Sequence, residues 1–163
     1  MVELKKIYLS LGFEDVNTYI QSGNVVFNCN NLDPSKLKNN IENKIKEVFD
    51  FDVTVLILTK NDLKNVIEEN PFKEEDPKHL HLTFLSKVPS EDLIKDLKLN
   101  LKFNMKNKSE KISISPKTIY LYLPNDYGKT KFNNNFFEKK LRVSATTRNW
   151  RTVNKLYNIA ESL

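Results

Sequence analysis

Arginine is scarce in this chain, and all of it sits in one place. Lysine is used 23 times, whereas the three arginines are Arg142, Arg148 and Arg151, beside the only tryptophan, Trp150. Guanidinium groups match phosphate or carboxylate oxygens in bidentate geometry, so residues 144–153 are a candidate anion site. A helix starting at about Thr147, capped by that hydroxyl, puts Arg148, Arg151 and Lys155 at i, i+3 and i+7 on one face. Trp150, Val153, Tyr157 and Ala160 then share another face, toward the core. Cations in a first helical turn oppose the macrodipole, so something else must compensate them. Either a bound anion or acidic groups of the same chain would do so, and the sequence leaves both open.

A second candidate is Tyr127-Gly128-Lys129-Thr130-Lys131. Gly-Lys-Thr resembles the end of a phosphate-binding P-loop, but that motif needs a glycine five residues earlier, where this chain has Leu123. With three glycines in all, no glycine-rich cradle can form. What remains is the start of a helix running from about Thr130 to Leu141, with unpaired backbone N–H groups and two lysines. Such a start binds an anion unaided, or is a plain helix entry. The candidate ligand-binding set is therefore Gly128, Lys129, Thr130, Lys131, Arg148, Asn149 and Arg151.

Other chemistry is thinly represented. Gln21 and Asn24 flank Ser22-Gly23, which reads first as a tight hairpin turn. His79 and His81 lie one apart on an expected strand and so share a face, but no cysteine or carboxylate at ligand spacing accompanies them. No metal or cofactor is expected. Cys29 has no histidine nearby in sequence, and no nucleophile elbow, H-E-x-x-H or Rossmann fingerprint is present. An enzyme acting on a small anionic substrate would need a carboxylate such as Glu138, which the sequence does not place.

These groups must be held by a fold, and composition bounds it. The 163 residues are 39% hydrophobic and 29% charged, with a net charge of +5. Residues 1–76 carry nine lysines against fourteen acids, a net of −5; residues 77–163 carry seventeen basic residues against seven acids, a net of +10. A basic half suggests an anionic partner, or merely a lysine-rich solvated surface. No apolar run approaches the ~18 residues of a membrane span, and no basic-then-apolar leader opens the chain. With one cysteine and no internal disulfide, a cytoplasmic location and no membrane partner are expected.

Apolar spacing then orders the elements. Leu4, Ile7, Tyr8 and Leu11 mark a helix that Gly12 stops. A hairpin turns at Ser22-Gly23, and Asp33-Pro34 opens a helix with Leu37, Ile41, Ile45 and Val48 on one face. Residues 53–59 are rich in β-branched side chains and read as a strand. Residues 60–70 read as a connecting helix capped by Asn61 or Asp62, and residues 71–77 as a linker. Beyond it come a strand at residues 80–85, a short helix after Ser90, strands at 111–115 and 118–123, and the two helices named above. The halves are α-β-β-α-β and β-α-β-β-α-α. An α+β fold follows, with two ferredoxin-like halves of βαββα type, residues 1–76 and 77–163, the first without its opening strand.

Three stretches also carry a family likeness: "TYIQSGNVVF" from Thr18, "GKTKFNNNFFEKKL" from Gly128 and "ATTRNWRTVNKL" from Ala145. In them the chain resembles the mainly bacterial family called domain of unknown function 1697. The resemblance implies a compact α+β fold with ferredoxin-like halves and implies no activity. Family members usually begin with a strand and a loop resembling "LRGINVGG" ahead of the first helix, so a central strand is expected to be absent here. Three functions are expected in turn. The first is a binding module for a phosphate-bearing small molecule or nucleic acid. The second is an enzyme on a small anionic substrate, and the third a protein-interaction domain without ligand chemistry.

Overall fold

Local sequence signals set most of the element boundaries. In the computed structural model, which describes residues 1–30, 33–104, 109–125 and 127–163, helix α1 spans Val2–Ser10 and stops at Gly12, whose φ of +81° suits a residue without Cβ. Strands β1 (Glu14–Tyr19) and β2 (Asn24–Asn28) form an antiparallel hairpin. Its turn is fixed by Gly23 at φ +74° and by the buried Asn24, whose amide donates to the Tyr19 carbonyl and the Ser22 hydroxyl. Helix α2 (Pro34–Phe49) starts where expected: the Asp33 carboxylate accepts from the amides of Ser35 and Lys36.

The chain divides into two units, one of residues 1–64 and 154–163, the other of residues 65–153. The core of the first unit is Ile7 and Tyr8 of α1, Phe13, Val16 of β1, and Leu37, Ile41 and Ile45 of α2. The Phe27 ring stacks on Phe13 with centroids 4.6 Å apart and meets Tyr8 edge-on at 5.0 Å. Residues 53–59 depart from expectation. Val53, Val55 and Ile57 do turn toward this core in the alternation of a strand, but no ladder pairs the segment among the described residues. The Val55 amide donates instead to the Glu42 carboxylate at 2.7 Å. Alternating apolar residues encode an extended backbone with one face buried; a strand in a sheet needs a neighbour as well.

Helix α3 (Lys60–Glu68) is capped by neither Asn61 nor Asp62 alone. The Thr59 hydroxyl accepts from the Asp62 amide, while the Asp62 carboxylate takes the amide and hydroxyl of Thr59, a reciprocal box.

The second unit holds β3 (Leu80–Leu85), α4 (Glu91–Asn104), β4 (Lys111–Ile114), β5 (Thr118–Tyr122), α5 (Asn134–Leu141) and β6 (Ala145–Asn149). Its sheet runs β4-β5-β3-β6, every neighbour antiparallel. One face packs Leu85, Ile119 and Leu121 against Leu97 and Leu101 of α4 and Phe137 and Leu141 of α5. The other face buries Leu80, Leu82, Phe84 and Tyr120, whose hydroxyl donates to the Val66 carbonyl of α3. Strand β3 is thus covered on both sides, which its near-continuous apolar run requires. The helix after Ser90 is longer than expected, at 14 residues.

Strand β6 corrects the expected helix from Thr147. Helix α6 spans Trp150–Ser162. The β-branched Thr146 and Thr147 suit a pleated, half-buried position beside β3, and Asn149, not Thr147, supplies the side chain that accepts the Thr152 amide. Likewise α5 begins at Asn134, capped by Asn133, and not at Thr130.

Candidate functional site

Where β3 and β5 end side by side, the chain leaves a cleft of about 700 Å³. A 3-10 turn, Pro77–His79, leads into β3, and the Asp76 carboxylate caps it by accepting from the Lys78 amide. The His79 carbonyl accepts the Leu123 amide at 3.0 Å, tying the start of β3 to the end of β5. After Leu123 and Pro124 the chain makes a second 3-10 turn, Tyr127–Lys129, on the far side of the opening. The lining is Lys78, His79, His81, Leu123, Pro124, Asn125, Tyr127 and Lys129.

Stacking holds the two rims together. The His81 ring lies against Tyr127 with centroids 4.9 Å apart and 23° between planes. His79 meets Tyr122 edge-on at 6.2 Å, and its Nε2 stands 4.0 Å from the Asp76 carboxylate. The described lining contains two lysines and two histidines and no carboxylate, so the cleft offers N–H donors and positive charge to an anion. Among the described residues no group of three or more His, Cys, Asp or Glu could hold a metal ion.

The residues expected to act together are distributed over three places. Lys129 lines the cleft, with Gly128 in the same turn. The Thr130 hydroxyl accepts the Phe132 amide, a local turn bond, and the Lys131 ammonium sits 5.2 Å from the Phe132 ring centroid. Arg148 lies opposite Leu82 in the β3–β6 ladder, whereas His81 lies opposite Asn149. Because successive strand side chains alternate between faces, Arg148 is on the face of the sheet away from His81 and the cleft. Its half-buried guanidinium donates to the Thr146 hydroxyl and the Thr147 carbonyl, and burial lowers its pKa. Arg148 and Arg151 are therefore not one helical turn apart: the first is in β6, the second exposed in α6. Glu138 accepts the Ala145 amide at 2.8 Å, so this carboxylate braces the start of β6.

Sequence reading missed the convergence of His79 and His81 with Tyr127 and Lys129. The signal was the pair of histidines at the mouth of a strand, legible only once β3 and β5 were known to be neighbours.

The sequence family described as "Protein of unknown function (DUF1697)" matches residues 1–120. The chain belongs to that family. The match includes the hairpin stretch from Thr18 and, in the cleft, Lys78, His79 and His81; Tyr127 and Lys129 lie beyond it. No curated protein matches the DUF1697 chain described here. Among solved structures it is similar to a conserved bacterial protein, SP0830 from Streptococcus pneumoniae. Identity is 22% over 98% of this chain and 88% of that one, with a TM-score of 0.71. That likeness shows the mixed α/β fold. Among the described residues, no helix is long and apolar enough to cross a membrane.

Proposed function

We propose that this DUF1697 chain is a binding module for a small phosphate-bearing ligand held in the cleft between the two 3-10 turns. The observation that carries the reading is the lining itself: Lys78, His79, His81 and Lys129 surround one concave site, and no carboxylate lines it among the described residues. Residues 77–163 carry a net charge of +10, so the local field reinforces capture of an anion. Lys129 is the one residue of the expected ligand set that lines this cleft, and Gly128 and Thr130 shape its turn. A concave site favours a small molecule over a nucleic-acid strand, which a basic surface stripe would suit better.

The same reading extends to the architecture and setting. The two halves, residues 1–76 and 77–163, are ferredoxin-like repeats of one ancestral motif, α-β-β-α-extended against β-α-β-β-α-β. A chain with one exposed cysteine, Cys29, and no disulfide suits the reducing cytoplasm.

The chain has only two histidines, so their ring-proton signals can each be followed by NMR. Inorganic pyrophosphate should shift both signals saturably, and the double variant Lys78→Gln/Lys129→Gln should bind it at least about tenfold more weakly, a loss of about 1.4 kcal/mol. Unshifted histidine signals at saturating pyrophosphate, or unchanged affinity in the double variant, would remove the cleft from consideration.

A further inference from the structure

A bare phosphate would leave two properties of the cleft unused: its size and the flat surfaces in its wall. Its volume of about 700 Å³ lies within the ~300–1,000 Å³ of pockets that enclose a whole small molecule, well beyond the bulk of a phosphate group. The wall is also only partly cationic. Leu123, Pro124, Asn125 and Tyr127 line it beside the lysines and histidines.

These four residues follow the end of β5, and they differ in what they offer. Leu123 and Pro124 are apolar. Tyr127 stands ring against ring with His81, so one aromatic stack is already built into the wall. The Asn125 side chain is exposed and carries a donor and an acceptor side by side.

This composition narrows the body attached to the phosphate. A sugar presents hydroxyls on every side and needs carboxylate and amide acceptors around it. Among the described residues the wall has no carboxylate and a single side-chain amide. A planar heterocycle needs the opposite: aromatic and apolar surface against its faces, and a polar group or two at its edge.

We propose that the ligand is a nucleoside phosphate, an inference that rests on the reading of the cleft as a phosphate site. The phosphate lies between Lys78 and Lys129 of the two 3-10 turns. The base extends the stack of His81 and Tyr127, with Pro124 beside it. The Asn125 amide meets the base edge, where an amide pairs bidentately with a neighbouring donor and acceptor. Stacking recognises a base as a class, because every base has a π-face.

The test uses the full chain, the two histidine ring signals and three probes: inorganic pyrophosphate, ribose 5-phosphate and adenosine monophosphate. The last two differ only in the base. Adenosine monophosphate should bind at least about tenfold more tightly than ribose 5-phosphate, a factor that one stacked base supplies. Nuclear Overhauser contacts should join the adenine ring protons to those of Tyr127 or His81. Tyr127→Leu should lose most of the preference for adenosine monophosphate, and Tyr127→Phe, which keeps the ring, should retain it. The contacts are read on the unaltered chain, so the test does not depend on how the variants fold. If pyrophosphate binds in the cleft but adenosine monophosphate gains nothing over ribose 5-phosphate, or its base makes no contact with either ring, the nucleoside is wrong and the phosphate site stands. If pyrophosphate leaves both histidine signals unshifted, the phosphate site falls and the nucleoside with it.

Discussion

Thr83 and Thr147 offer a sharp test of the hydrogen-bond logic in the second unit. Thr83 is fully buried in β3 and its hydroxyl oxygen lies 2.7 Å from that of Thr147 in β6. Thr147 donates its one hydroxyl proton to the side-chain oxygen of Asn134 in α5, at 2.6 Å. Thr83 must therefore be the donor to Thr147, and the chain runs Thr83 to Thr147 to Asn134. Thr147→Val keeps the shape but leaves the Thr83 hydroxyl buried without its acceptor. The expected cost is about 1–3 kcal/mol, that of an orphaned buried polar group. Thr83→Val removes the buried donor itself and leaves the bond from Thr147 to Asn134 in place, so it should cost less than about 1 kcal/mol. The double variant should then resemble Thr83→Val alone, giving a coupling of about 1–3 kcal/mol between the two sites, equal to the cost of Thr147→Val. The assay is urea unfolding of the four proteins, with exchange of the β3 amides as the local readout. If the two single variants cost the same and their effects add, the directional chain is wrong.

Two further outcomes are expected. Burial pushes Tyr8 up to about 12, and burial followed by the charge of Glu69 does the same for Tyr120. A tyrosine in the unfolded chain ionises near ~10, so these groups leave stability unchanged below that pH and reduce it as pH rises from about 10 to 12, where the unfolded form alone loses protons. Tyrosinate absorbance during alkaline titration should show two late-ionising groups, and denaturant midpoints should fall over the same interval. Thr59→Ala should destabilise α3 by about 1 kcal/mol, while Thr59→Ser retains the reciprocal box and most of the stability; urea midpoints distinguish them.

Most of the helices and both hairpins were legible because their signals are local. Asp33-Pro34, Gly12 and Ser22-Gly23 act within a few residues, and each acted where its chemistry said it would. Strand β6 was not legible, because Thr146-Thr147 ahead of Trp150 suits a strand end and a helix cap alike. Only the neighbouring β3 decides between them, and β3 is more than sixty residues earlier in sequence. The same reason split the arginines. Their spacing was read on a helical period, while the alternation of β6 sends Arg148 to the face opposite the cleft. Arg142 proves to be the left-handed residue that ends α5, at φ +54°. The halves' shared order was visible, but the fate of residues 53–59 depended on a neighbour that no local pattern reports.

The units also differ in how the chain supplies them. Residues 65–153 are contiguous, whereas the other unit takes residues 1–64 and then the last ten, 154–163. During synthesis from the N-terminus, the middle unit has all its residues before its companion does, although the companion was begun first. Residues 1–64 must wait through the whole of the intervening stretch for the end of α6. A ribosome stalled or a chain clipped within the last ten residues therefore leaves the later-made unit whole and the earlier-made one unfinished. The two will then report differently on partial chains: residues 65–153 should show native exchange protection in a chain cut after residue 153, and the N-terminal residues only when residues 154–163 are present as well.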